Sequence, residues 1–275
     1  MLGRKCLCVP YTLAQYILYV NDNFILQYTM RDMKYTPTSH NLIHHYQPTN
    51  YSCCQTAVSM ALSCYGRSIS PQKIIEQVPV LVNKKGEEEG SLLQHLASWC
   101  MTLGYTVSMY TADCEIIDTT WATLPKVQLL ERMKLAMPHR NVTDLGKKYS
   151  TMYMQSYIDF VQAGGTLTIV ASIGSDLLYE LLEKGPVIAG VSFRTLWGTG
   201  HNKSTGLRQM EHSDTGKGNA GTHAVTLYGF TETGDILIAD PWVKPGLHIV
   251  KIDHVIASIS AAQINCDNLL FQIAP

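Results

Sequence analysis

Apolar positions recur along this chain at two spacings, one helical and one alternating or continuous, and the switches between them mark its elements. Val58, Ala61, Leu62 and Tyr65 fall on one helical face that stops at Gly66, which predicts a helix ending there. Ser70-Pro71 starts a second helix, to about residue 77, because proline suits the first helical position. Ser91 is placed to cap a helix over residues 92–102 with Leu92, Leu96, Trp99 and Met101 inward, and Gly104 closes it ahead of a strand at 105–110. Helical periodicity returns over 124–137 and 149–163, where Tyr149, Met152, Tyr153, Tyr157 and Phe160 read as core. A strand at 167–171 and a helix at 175–184 follow, with Gly185-Pro186 breaking that helix before a strand at 187–193. The chain closes with a strand at 247–252, a helix near 254–261 and a last strand at 268–273 placed to complete a sheet. Ahead of all this, residues 11–20 suit a strand or short helix and 24–30 a strand, joined by an Asn21-Asp22-Asn23 turn. The charged run 83–89 reads as a solvated loop. The stretch 198–222 is long, polar and rich in Gly, Ser and His, which predicts a lid or substrate loop; His201 and His212 within it read as solvated.

Two adjacent cysteines stand at the foot of the first helix. Ser52 followed by Gln55 fits a capping box, so Cys53 takes the first helical position, where the helix dipole favours thiolate, the reactive form of cysteine. Gln47, six residues upstream, lies in the approach loop, where its side-chain amide and the Cys53 N–H are suited to stabilise an oxyanion. A cysteine on a helix is also an ordinary small core residue, so the catalytic reading needs a partner.

That partner is a base, and His223 has the setting for one. It opens His-Ala-Val-Thr-Leu-Tyr-Gly-Phe, and a turn at 231–235 leads into Ile-Leu-Ile-Ala-Asp-Pro at 236–241. Two β-rich runs about a Gly-containing turn predict a hairpin, with His223 entering one strand and Asp240 leaving the other at its open end, where Pro241 ends the pairing.

Together these segments resemble the C39 and C39-like peptidases of the papain-like superfamily. Gln47, Cys53, Ala57, Met60, Tyr65 and Gly66 match the first motif without a gap, and His223, Gly229, Phe230, Asp240 and Pro241 match the second. Residues 90–105 resemble the family's second helix with its Leu-Gly-Tyr, and 181–191 its Gly-x-Pro-Val-Ile strand, so the likeness covers about two thirds of the chain. Cys54 departs from it, standing where the family has Gly and altering close approach behind the nucleophile. The resemblance implies an α+β papain-like fold, a helical part carrying Cys53 packed on an antiparallel sheet carrying His223 and Asp240. It implies a thioester intermediate without a cofactor and a peptide or protein substrate. The same residues serve hydrolysis, transglutaminase or deamidase chemistry and acyl transfer, and a silent peptide-binding module is the alternative outside enzymes.

Composition changes this picture little. A chain of 275 residues with 46% apolar residues holds a sizeable core, and a net charge of −1 gives no footprint for nucleic acid. No apolar run approaches the roughly 20 residues that span a bilayer. Residues 1–40 are expected as an N-terminal extension, with one domain over 41–275 and a helical insertion at about 111–165 lying over the cleft. The basic start lacks a small-residue cleavage site, so a cytoplasmic protein, or one exported without a signal peptide, is expected. Eight cysteines without paired CxxC spacing predict reduced thiols, and Cys6-x-Cys8 alone is a poor metal site.

Overall fold

The structure is a computed structural model that describes residues 35–82, 85–86, 88–140, 146–198, 221–265 and 267–275, with the backbone of two earlier strands. Those strands, β1 (Gln15–Val20) and β2 (Asn23–Tyr28), pair antiparallel with Val20 opposite Asn23, and residues 21 and 22 of the expected turn lie outside the described residues. The short β3 (Thr38–Ser39) leads to α1 (Cys53–Ser63) and α2 (Pro71–Gln77). Ser70 caps α2 as anticipated, its side chain accepting from the Lys73 N–H. Short paired strands, β4 (Leu81–Val82) and β5 (Glu88–Gly90), flank the run expected as a loop, β5 taking its last two residues. Then come α3 (Leu93–Thr102), β6 (Thr106–Thr111), α4 (Lys126–Ala136), α5 (Gly146–Gln162) and β7 (Thr166–Ile169). Next are α6 (Ser175–Lys184), β8 (Val187–Ser192) and a short unexpected helix, α7 (Phe193–Trp197), whose first residue was expected to end the strand. The chain finishes with β9 (Thr222–Phe230), β10 (Ile236–Ala239), β11 (Leu247–Val250), α8 (Ile252–Ala261) and β12 (Leu269–Ala274).

One sheet organises these elements in the order β11-β10-β9-β8-β12-β6-β7, with β3 added beside β9. All its pairs are antiparallel except β6 with β7. The sheet that carries His223 and Asp240 is thus antiparallel as expected, and the helical crossover through α4 and α5 returns the chain in the same direction at β7 alone. The last strand joins the sheet as expected, β12 running between β8 and β6 in its middle. β8 is buried along its whole length, as a strand covered on both faces must be.

Two apolar cores flank the sheet. One joins α1 and α3 to Tyr153, Met154, Tyr157, Phe160 and Val161 of α5. The other packs α6 and α8 through Leu178, Leu181, Leu182, Val255 and Ile259 against Val187, Val191 and Val225 of the sheet. Gly229 is confined by contact: a Cβ there would strike the Thr38 carbonyl, and its φ of 154° lies outside the range other residues favour. It thereby lets β3 lie against β9.

Candidate active site

The N-terminus of α1 abuts β9, where Thr226 Oγ1 donates to the Ala57 carbonyl at 2.8 Å. This contact fixes the height of the helix against the strand that opens with Thr222 and His223. The helix begins at Cys53 as expected, but the capping box does not form. Ser52 folds back on the preceding turn, its hydroxyl receiving the Thr49 N–H at 3.1 Å. Gln55 is buried and donates to the Val78 carbonyl and to Ser91 Oγ, both at 2.8 Å. Tertiary partners have thus taken the two side chains that the local motif assigned to the cap. Ser91, expected to cap α3, is used in this way, and Leu92 holds that N-cap position with no side-chain bond.

His223 and Asp240 meet at the open end of the β9–β10 hairpin. The pairing runs to Ala239 opposite Thr226, and the imidazole Nε2 lies 3.0 Å from Asp240 Oδ1. Asp240 is wholly buried, and its carboxylate accepts from four donors. Besides His223, Oδ1 takes the backbone N–H of Trp242 at 2.7 Å and of Val243 at 2.9 Å, and Oδ2 takes Trp197 Nε1 at 2.8 Å. Such charge-assisted bonds offset the cost of burying a carboxylate. Burial pushes the Asp240 carboxyl up, but His223 and the backbone donors outweigh it and hold the group below its ordinary value. Burial likewise pulls His223 down, yet Asp240 and Cys53 reverse that and raise it to about 10.

Cys53 is half-buried and has the Cys54 side chain, His223 and the Ala224 N–H as partners. With Nε2 on Asp240, the imidazole offers Nδ1 to the sulfur. The Cys54 contact is the largest influence holding the Cys53 thiol well below its ordinary value, burial opposes it, and His223 and the Ala224 N–H add to the lowering. Cys54 behaves oppositely. It is buried, its sulfur donates to the Ser91 carbonyl at 3.3 Å, and the Cys53 contact followed by burial pushes its pKa well up. The five cysteines among the described residues, Cys53, Cys54, Cys64, Cys100 and Cys114, are all free thiols.

Gln47 is buried in the approach loop, with Nε2 donating to the Thr49 carbonyl at 2.8 Å and its backbone N–H donating to the Pro241 carbonyl at 2.8 Å. The loop before Cys53 is therefore tied to the turn after Asp240, and His44 repeats the link through Nε2 at 2.8 Å from the Asp240 carbonyl. Sequence reasoning missed Trp197. No motif surrounds it, and only the fold brings α7 beside the end of β10. The expected lid at 198–222, with His201 and His212, falls almost wholly outside the described residues, as do Cys6 and Cys8. Among the described residues no helix is long and apolar enough to cross a membrane, and no group of His, Cys, Asp and Glu is arranged to hold a metal ion.

Comparison with curated proteins and with solved structures returned no match. A family model, the Peptidase C39-like family, matches residues 39–255, a span that holds Gln47, Cys53, His223 and Asp240. The chain belongs to the Peptidase C39-like family.

Proposed function

We propose that the protein is a cysteine peptidase or isopeptidase whose nucleophile is Cys53, with His223 as general base and acid and Asp240 as its orienting carboxylate. The observation that carries this reading is the continuous contact from the Cys53 sulfur through His223 to Asp240, 3.0 Å from the imidazole. The Cys53 thiolate attacks the carbonyl carbon, and the negative charge on the carbonyl oxygen is held by the Cys53 N–H and the Gln47 amide. The C–N bond breaks as the imidazolium gives its proton to the leaving amine. Water then attacks the thioester, passing a proton to His223, which releases the carboxylic acid and restores the thiolate.

Two variants and one reagent test the assignment. Iodoacetamide at neutral pH should alkylate Cys53 at least about tenfold faster than Cys54, since thiolate is the reacting form. Cys53→Ala should abolish cleavage of a peptide library read by mass spectrometry, while Cys54→Gly retains it. The reverse pattern, with Cys54→Gly inactive and Cys53→Ala active, would overturn the choice of sulfur and the role given to Gln47.

A further inference from the structure

Cys54 takes no part in the reaction proposed above, yet it touches the nucleophile. The two cysteines are neighbours at the start of α1, and their side chains are in hydrogen-bond contact. The Cys54 thiol is shared between the Cys53 sulfur and the Ser91 carbonyl, 3.3 Å away, which holds it in place behind the nucleophile. Cys53 is half-buried whereas Cys54 is 6% exposed, so a small oxidant arriving from solvent meets Cys53 first. The other free thiols among the described residues stand elsewhere in the fold: Cys64 at the far end of α1, Cys100 on α3 and Cys114 beyond β6.

The pair is divided as thiol oxidation requires. Thiolate is the form that reacts with peroxides, and the sulfenic acid so formed condenses with a neighbouring thiol. Cys53 is the thiolate of the pair. Cys54 is kept as the thiol, by its contact with Cys53 first, then by burial, and then by the charges of Cys53 and of Asp267, which lies just before β12. Neighbouring Cα atoms are about 3.8 Å apart, below the span of about 4.4–6.8 Å usual for a disulfide, so a bond between these sulfurs closes only if the first turn of α1 bends. The N–H groups of a first turn have no partner within their own helix, and the bond across this one runs from the Thr56 N–H to the Ser52 carbonyl at 3.1 Å. A disulfide closed under strain is readily reduced, which suits a reversible modification and not a structural crosslink.

We propose that Cys53 and Cys54 form a reversible oxidation site for hydroperoxides, with Cys53 taking the oxygen and Cys54 resolving it into a disulfide between neighbours. The Cys53 thiolate attacks one peroxide oxygen, the O–O bond breaks, and hydroxide or alkoxide leaves; the sulfur is oxidised by two electrons to sulfenic acid and the peroxide is reduced. The Cys54 sulfur then attacks the Cys53 sulfur, the S–O bond breaks, and the oxygen leaves with the Cys54 proton as water. A dithiol reductant returns both thiols and is itself oxidised to a disulfide. The cycle withdraws the nucleophile from acyl chemistry and keeps it from the irreversible sulfinic acid. The inference rests on Cys53 being the reactive thiolate.

Mass spectrometry of the reduced full chain after hydrogen peroxide at neutral pH tests it. The protein should keep its single-chain mass less two hydrogens, with fragmentation assigning the loss to Cys53 and Cys54, and dithiothreitol should restore iodoacetamide labelling of Cys53. Cys54→Ser keeps a small polar side chain at that position but cannot close the disulfide. At the same peroxide dose it should gain two or three oxygens at Cys53, and dithiothreitol should recover at least about tenfold less labelling than in the unmodified protein. Two or three oxygens on Cys53 of the unmodified protein, with Cys54 still a thiol, would overturn the inference, as would a disulfide from Cys53 to another cysteine or to a second chain. If Cys53 reacts with neither peroxide nor iodoacetamide, the nucleophile falls and the inference with it. A Cys53–Cys54 disulfide in a protein that cleaves no peptide would uphold the inference and remove only the peptidase reading.

Discussion

The imidazole of His223 lies between a buried carboxylate and a thiol, and its protonation follows from both. Asp240 holds it charged to about 10, while the Cys53 thiol is lowered well below its ordinary value. Between these limits thiolate and imidazolium coexist, the state that the proposed mechanism requires. The pH profile of kcat/KM should therefore rise on the acid side as Cys53 ionises and fall on the alkaline side as His223 loses its proton towards about 10. Linkage gives the same sign for stability. An imidazole raised above its unfolded value, about 6.5, contributes stability in full below that pH and loses it as pH climbs to the folded value. Asp240→Asn removes the charge that raises the imidazole, so its alkaline limb should move to lower pH, and His223→Ala should cost about two orders of magnitude in turnover. A pH–rate series on Asp240→Asn checks this, and an unmoved alkaline limb would exclude Asp240 as the controlling charge.

At the scale of elements, α7 buries Phe193 and Leu196 and sets one indole beside Asp240. Ser192 caps it by accepting the Thr195 N–H at 3.3 Å, Gly198 ends it with φ of 68°, and Trp197 between them donates to Asp240. The indole also lies against His248, ring centroids 4.5 Å apart. Trp197→Phe keeps this ring contact but removes the donor, leaving one buried oxygen of Asp240 without it. A hydrogen bond to a charged group is worth about 1.5–3 kcal/mol, so turnover should fall roughly tenfold or more, with KM little changed. Loss in KM alone would mean that the indole touches substrate instead. This helix also marks where sequence reading ended. Hydrophobic spacing and turn residues located α1, α2, α3, α5, α6 and the β9–β10 hairpin, because each buries a regular face or is closed by Gly or Pro. The position of Cys53 at the start of α1 was legible too, but the capping box was not decisive: distant partners claimed Gln55 and Ser91. Trp197 and Asp267 carried no local signal, since they reach the site only through strand order.

For the whole molecule, the sheet is the device that gathers distant residues, and Gly190 shows how tightly. Its neighbour across the pairing is Ala224, and the Asp267 carbonyl fills the space where a side chain would stand. Gly190→Ala forces a backbone shift of Asp267, and overpacking of this kind costs about 1–3 kcal/mol. Chemical unfolding should show that loss, whereas an unchanged midpoint would mean the Asp267 segment gives way freely. The same gathering has a consequence in time. Cys53 is made early and His223 about 170 residues later, as the sequence numbering shows. The strand that joins the two halves of the sheet, β12, comes later still, between β8 and β6. Until the chain has been made past β9, α1 lacks the strand it packs on, and β12 adds the join between β8 and β6 last. Assembly waits on contacts between segments far apart in sequence, which form slowly. Cys53 therefore meets His223 only after synthesis has passed β9, and the sheet is whole only after the strand at Leu269–Ala274.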